Sequence, residues 1–132
     1  MEYSDSLKKN NEFQRVYRKG TSQANRYLVM YVLENHDRHM ENRLGISVSK
    51  KVGNSVVRHR VTRLIRESYR LNEKSFRQGL DIVVVARPNA KDRTYQEIES
   101  ALMHLARRMK ICREAEVHSE EAGNESVKSK EQ

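Results

Sequence analysis

The sequence predicts an α+β or α/β fold: a two-layer sandwich of one small sheet and packed helices. Two observations carry this. The runs YLVMYVL at 27–33 and LDIVVVA at 80–86 are rich in β-branched and aromatic residues and have the length of strands. Between them, an alternating stretch from Leu44 to Val48 leads into a long segment of helical period. The order reads helix, strands, helix, strand, helix.

Taken in order, residues 1–9 are polar apart from Leu7 and are expected to be mobile. Asn10 or Asn11 can cap a helix reaching Lys19, on which Phe13, Val16 and Tyr17 share a face, and Gly20 suits the position past its end. Residues 21–26 suit a turn or a short edge strand. In the run 27–33, Tyr27, Val29 and Tyr31 point one way and Leu28, Met30 and Val32 the other. Both faces are apolar, so this strand belongs inside the sheet. The polar loop 34–42 holds His36 and His39, with no cysteine or further histidine near. They read as solvated residues rather than as metal ligands.

Leu44, Ile46 and Val48 alternate with Gly45, Ser47 and Ser49, giving the next strand one apolar and one small polar face. Gly53 allows a turn, and Asn54 or Ser55 can cap the long helix. Val57, Val61, Leu64, Ile65 and Ser68 form its apolar side. Arg58, His59, Arg63, Arg66 and Arg70 are expected on the opposite arc, with Arg60 at its edge. A face that only solubilises mixes signs, yet Glu67 is the sole acid between Arg58 and Arg70. The cations are arginines, whose planar fork matches phosphate. Residues 72–79 form a polar connection in which Gly79 can turn the chain, and Pro88 ends the strand that follows. A last helix starts near Thr94, with Tyr95, Ile98, Leu102, Leu105 and Met109 as its apolar stripe.

Composition bounds the function. In 132 residues, 36% hydrophobic content allows one domain with a modest core, and a net charge of +8 points to an anionic partner. No run approaches the ~18 apolar residues of a membrane span. No apolar signal core follows Met1-Glu2-Tyr3-Ser4-Asp5, and the single Cys112 suits a reducing compartment, so a cytoplasmic location is expected. The domain is read as residues 1–112. Residues 113–132 hold six acids against three bases and are expected to be a disordered acidic tail, which leaves +11 on the domain. No nucleophilic triad, HExxH, Walker loop or paired-carboxylate motif is present, so no catalytic residue and no metal ligand is assigned to the chain.

The run Lys50-Lys51-Val52-Gly53-Asn54-Ser55-Val56-Val57-Arg58, followed by Arg60, Arg63, Arg66 and Glu67, resembles the signature of the bacterial ribonuclease P protein subunit. The resemblance extends from about Leu7 to Lys110. Two positions depart from the family pattern: His59 stands where Asn is usual, and Thr62 where Lys is usual. The resemblance implies an αβββαβα, ribosomal-protein-S5-domain-2-like fold with a left-handed βαβ crossover, where general rules alone would give a right-handed one. It implies a subunit that binds the catalytic ribonuclease P RNA through Lys50, Lys51, Arg58, His59, Arg60, Arg63, Arg66 and Arg70. It also implies contact with precursor tRNA, whose single-stranded 5′ leader would lie along Phe13, Tyr17 and Tyr31, with Tyr27 a weaker candidate on the same strand face. The expected activity is endonucleolytic removal of the leader by the holoenzyme, with Mg²⁺ bound by the RNA subunit. Read from spacing alone, the same aromatics are ordinary core residues. The basic helix alone also fits a structural, ribosomal-type RNA-binding protein without a catalytic partner. A DNA-binding helix is disfavoured because no short helix precedes it.

Overall fold

The computed structural model describes residues 4–35 and 41–113. His36, His39 and the tail from Glu114 onward lie outside the described residues. The elements are β1 (Ser4–Ser6), α1 (Asn10–Lys19), β2 (Thr21–Ala24), β3 (Leu28–Glu34), β4 (Asn42–Ser47), α2 (Ser55–Leu71), β5 (Leu80–Ala86) and α3 (Tyr95–Arg108). Single 3₁₀ turns follow α2 at Glu73–Ser75 and β5 at Pro88–Ala90.

The sheet order is β1-β4-β5-β3-β2. β4 runs parallel to β1 and β5, while β3 is antiparallel to β5 and β2. β1 lies in the segment expected to be mobile. Its three polar residues carry no hydrophobic periodicity, so only pairing with the edge of β4 makes them a strand. The Ser4 hydroxyl also lies 2.8 Å from the Tyr69 hydroxyl.

α2 and α3 form the helical layer on one face. Val61, Ile65 and Tyr69 of α2, with Ile98, Leu102 and Leu105 of α3, pack on Leu28, Met30, Leu44, Ile82 and Val84. The apolar side of α2 is as read from the sequence, with Tyr69 added. Both long helices are capped as their sequences suggest: Asn54 Oδ1 accepts from the Val57 N–H at 3.0 Å, and Thr94 Oγ1 from the Glu97 N–H at 3.1 Å. α1 crosses the opposite face with Val16 buried against Val83. Gly20 ends α1 with an extended backbone, not a left-handed one. It is required by close approach, since a Cβ there would stand 2.6 Å from the Val32 carbonyl oxygen. Gly79, at φ 84°, does use the left-handed region to turn the chain into β5.

The hand of the β4–α2–β5 connection follows from one hydrogen bond. The Leu44 carbonyl accepts from the Leu7 N–H at 2.9 Å, so Leu44 bonds toward β1 while its side chain packs on the α2 side. In an L-residue whose side chain faces the viewer and whose strand runs upward, N–H and C=O point right. Seen from α2, β1 therefore lies right of β4, and β5 lies left. A chain that leaves β4 at the top, returns in front and enters β5 on the left makes a left-handed crossover. This is the exceptional hand for such units.

Candidate RNA interface

Two surfaces on opposite faces of the sheet bring together the residues singled out by the sequence. The first is the outer side of α2. His59, Arg60, Arg63 and Arg66 are exposed and line one shallow groove with Val56 and Leu64. Lys50 and Lys51 are exposed on the turn leading into this helix. Two members of the set behave differently. Arg70 is exposed but engaged by Glu67, with Nη2 2.5 Å from Oε2 and Nε 3.1 Å from Oε1. The arginine holds the Glu67 carboxyl below its usual range.

Arg58 is not on the outer arc. It stands three, seven and eleven residues before Val61, Ile65 and Tyr69, all buried, so it shares their side of the helix. It is half-buried, and its Nε is shielded from solvent with no hydrogen-bond partner among the described residues. Arg60 reaches to the start of α3, where its Nη2 donates to the Arg93 carbonyl at 2.9 Å.

The second surface is the face crossed by α1. The register sets Gly45, Val83 and Tyr31 side by side beneath the helix. Phe13 lies on Gly45, where a Cβ would approach its ring to 2.7 Å, so this glycine is a seat for the ring. Tyr17 meets Tyr31 edge-on, with centroids 4.9 Å apart at 70°. Phe13 and Tyr17 centroids are 6.4 Å apart. All three rings are half-buried, which leaves part of each open to solvent. The next row, Ser47, Val85 and Val29, is half-buried as well and continues toward the end of β4 that leads to Lys50 and Lys51. Tyr27 does not belong here. The Asn25 side chain accepts from the N–H groups of Tyr27 and Leu28, which holds Tyr27 in a turn before β3 begins. The alternation expected from residue 27 therefore fails, and its ring packs against the larger core with the Arg93 guanidinium 5.3 Å from its centroid.

The opposite flank of α1 is polar and was not anticipated. Asp81 is fully buried in β5. Arg43 of β4 grips it with both arms, Nε to Oδ1 at 3.0 Å and Nη2 to Oδ2 at 2.7 Å, and Asn35 Nδ2 donates at 2.8 Å. Arg43 Nη1 also donates to Glu12 Oε2 of α1 at 3.2 Å, and Arg15 Nη1 lies 3.7 Å from Asp81 Oδ2. The Asp81 hydrogen bond raises the Arg43 pKa above its usual value. The signal in the sequence was Asp81 itself. A carboxylate inside a strand read as fully buried must have cationic or hydrogen-bonding partners elsewhere in the chain.

Among the described residues, no group of three or more His, Cys, Asp or Glu side chains could hold a metal ion, and no helix is long and apolar enough to cross a membrane. A basic helix and a separate, half-open aromatic face on one small α+β domain point to a protein that binds RNA. The family model for ribonuclease P matches residues 1–110. The ribonuclease P protein component of Lachnoclostridium phytofermentans is 61% identical over 113 residues, covering 86% of this chain and 96% of the relative. Similar solved structures include the ribonuclease P protein of Staphylococcus aureus, with 42% identity, TM-score 0.76 and coverage of 83% of this chain and 98% of that one, and that of Thermotoga maritima, with 28% identity, TM-score 0.71 and coverage of 79% and 96%. The chain belongs to the ribonuclease P protein family. The ribosomal-type alternative is not favoured.

The buried pair makes a stability prediction. Replacing Arg43 with Ala strands the Asp81 carboxylate in the sheet. The expected loss is about 3–5 kcal/mol, as for other buried pairs deprived of one partner. A urea melt of the variant checks it, and an unchanged midpoint would mean that Asp81 does not depend on Arg43.

Proposed function

We propose that the chain, as the protein subunit of ribonuclease P, binds the catalytic RNA along α2 and the 5′ leader of precursor tRNA along the aromatic groove beside α1. The observation that carries this reading is the separation of the two surfaces on opposite faces of one sheet. A basic domain placed between two polyanions lowers their repulsion, and each phosphate contact releases counterions. Single-stranded RNA exposes the faces of its bases, and Phe13, Tyr17 and Tyr31 offer rings on which they can stack without strict sequence preference. In this reading the RNA subunit carries the hydrolytic site and its Mg²⁺ ions, and this chain positions the substrate. Reconstitution with the catalytic RNA at low Mg²⁺ is the test. Leader removal should rise strongly when protein is added, while highly purified protein alone leaves the precursor intact. Cleavage by the protein alone, with a silent heat-denatured control, would overturn the division of labour.

Arg63 and Arg66 project side by side from the outer arc, three residues apart. Replacing both with Ala should weaken binding to the catalytic RNA and make its log–log salt dependence shallower by about one unit per lost phosphate contact. Far-UV circular dichroism should stay native because the apolar side of α2 is untouched. An unchanged salt slope would place these arginines in solvent rather than on phosphate.

Tyr17→Ala removes the ring that joins Phe13 to Tyr31. The holoenzyme should then bind precursor tRNA more weakly by about 1–3 kcal/mol, the usual worth of one base–ring stack. Its affinity for mature tRNA, which has no leader, should hold. Equal losses for both RNAs together with a lowered melting temperature would return Tyr17 to the core.

A further inference from the structure

We propose that Glu12 is a positioning residue for leader binding: its carboxylate sets the roll of α1, and so the placement of the Phe13 and Tyr17 rings. The inference rests on the reading of the aromatic face as the leader groove.

The apolar contact beneath α1 is small. The buried residues of its cluster are Leu7, Val16 and Val83. Such contact is non-directional, and Val16 is the one fully buried anchor of α1, with Phe13 and Tyr17 only half-buried beside it, so apolar packing alone restrains its roll weakly. Among the described residues, the ion pairs from α1 to the sheet lie on the flank away from the aromatics. Glu12 Oε2 accepts from Arg43, which is itself fixed by the two-armed grip on Asp81. Arg15 approaches the same aspartate. The other carboxylate oxygen of Glu12 accepts from the N–H groups of Lys8 and Lys9, at 3.0 and 3.1 Å, which fixes where the helix begins. Glu12 thus fixes the start of α1 and, with the more distant Arg15, ties its roll to the sheet. Phe13 follows it directly, and Tyr17 comes little more than one turn later, on the opposite flank. If the tie to Arg43 is lost, the helix can turn about Val16, lifting Phe13 from Gly45 and Tyr17 from Tyr31.

The discriminating variant is Glu12→Gln. Glutamine still accepts from the Lys8 and Lys9 N–H groups and is a normal residue at this point of a helix, so α1 keeps its cap. What is lost is the ionic tie to Arg43. The charge change works in the opposite direction to the proposal, because removing an anion from a protein that binds RNA should tighten binding if only electrostatics acts. The expected result is a holoenzyme whose affinity for precursor tRNA falls about fivefold, the weak end of the range for one lost base–ring stack. Its affinity for mature tRNA and that of the protein for the catalytic RNA should hold. In NMR spectra of the free protein, the Tyr17 and Tyr31 ring protons should move toward the shifts of isolated rings. Precursor binding that is unchanged or tighter, in a system where the wild type prefers the precursor, overturns the role of Glu12 alone. Equal losses for both tRNAs with a lowered melting temperature also overturn it, in favour of a purely structural role. A wild-type holoenzyme that binds both tRNAs equally overturns the groove reading itself, and this role with it.

Discussion

Adjacent parallel strands cannot be joined by a tight turn, and the β4–β5 pair imposes that constraint on the whole domain. The connection must cross a face of the sheet, and α2 is that connection. Its apolar side has to cover Leu44 and Ile82, so the residues a half-turn away are turned outward. The arginine arc is therefore fixed in direction by strand pairing rather than by its own interactions. α3 packs beside α2 on the same face, which leaves the other face to the short α1 and to solvent. The left hand of the crossover belongs to the same constraint. With β1 bonded to the other edge of β4, α2 returns to a strand on its left.

The two faces of the sheet are stabilised by different physics. On the α2–α3 side the contacts are extensive and apolar, and Asn42 bridges the strand ends to the helix by donating to the Tyr69 hydroxyl and to the Arg77 carbonyl, and accepting from the Leu80 N–H. Burial raises the Tyr69 hydroxyl pKa above its usual value, so the phenol stays neutral and can donate. On the α1 side the buried apolar cluster is small, and the Glu12–Arg43–Asp81 chain ties the helix to the sheet. The backbone N–H groups of Lys9 and Lys8, and then the charge of Arg43, hold the Glu12 carboxyl below its usual range. In the proposed reading, a face that takes up RNA bases cannot be filled by core side chains. Polar ties on the far flank keep the helix in place while leaving the aromatic flank half-open.

Much of this was legible because it depends on local sequence. The cap at Asn54, the start of the last helix near Thr94, the apolar side of α2 and the β-branched run of β5 are short-range patterns, and each appears where it was read. The arginines at 60, 63 and 66 project outward because helical periodicity demands it. The failures lie where a residue's direction depends on something distant in sequence. Tyr27 leaves the strand alternation because Asn25, whose own side-chain amide donates to the Ala101 carbonyl of α3, captures its backbone N–H. Arg58 falls on the buried side because the apolar arc continues to Tyr69, which is recruited by Ser4 and Asn42.

By itself, the sequence determined that this is a small basic domain of mixed strands and helices with an arginine-faced helix after the alternating strand at 44–48, because charge, periodicity and capping are properties of contiguous residues. It also placed the chain near its family through one contiguous motif. The tertiary structure alone decided that Ser4–Ser6 is a strand and that Phe13 rests on Gly45 while Tyr17 meets Tyr31, and it bears out the left-handed crossover that only the family resemblance implied. It alone joined Glu12, Arg43 and Asp81, which lie 31 and 38 residues apart. Each of these is a pairing between distant segments, set by which strand edge, face or buried charge remains to be satisfied once the sheet has closed.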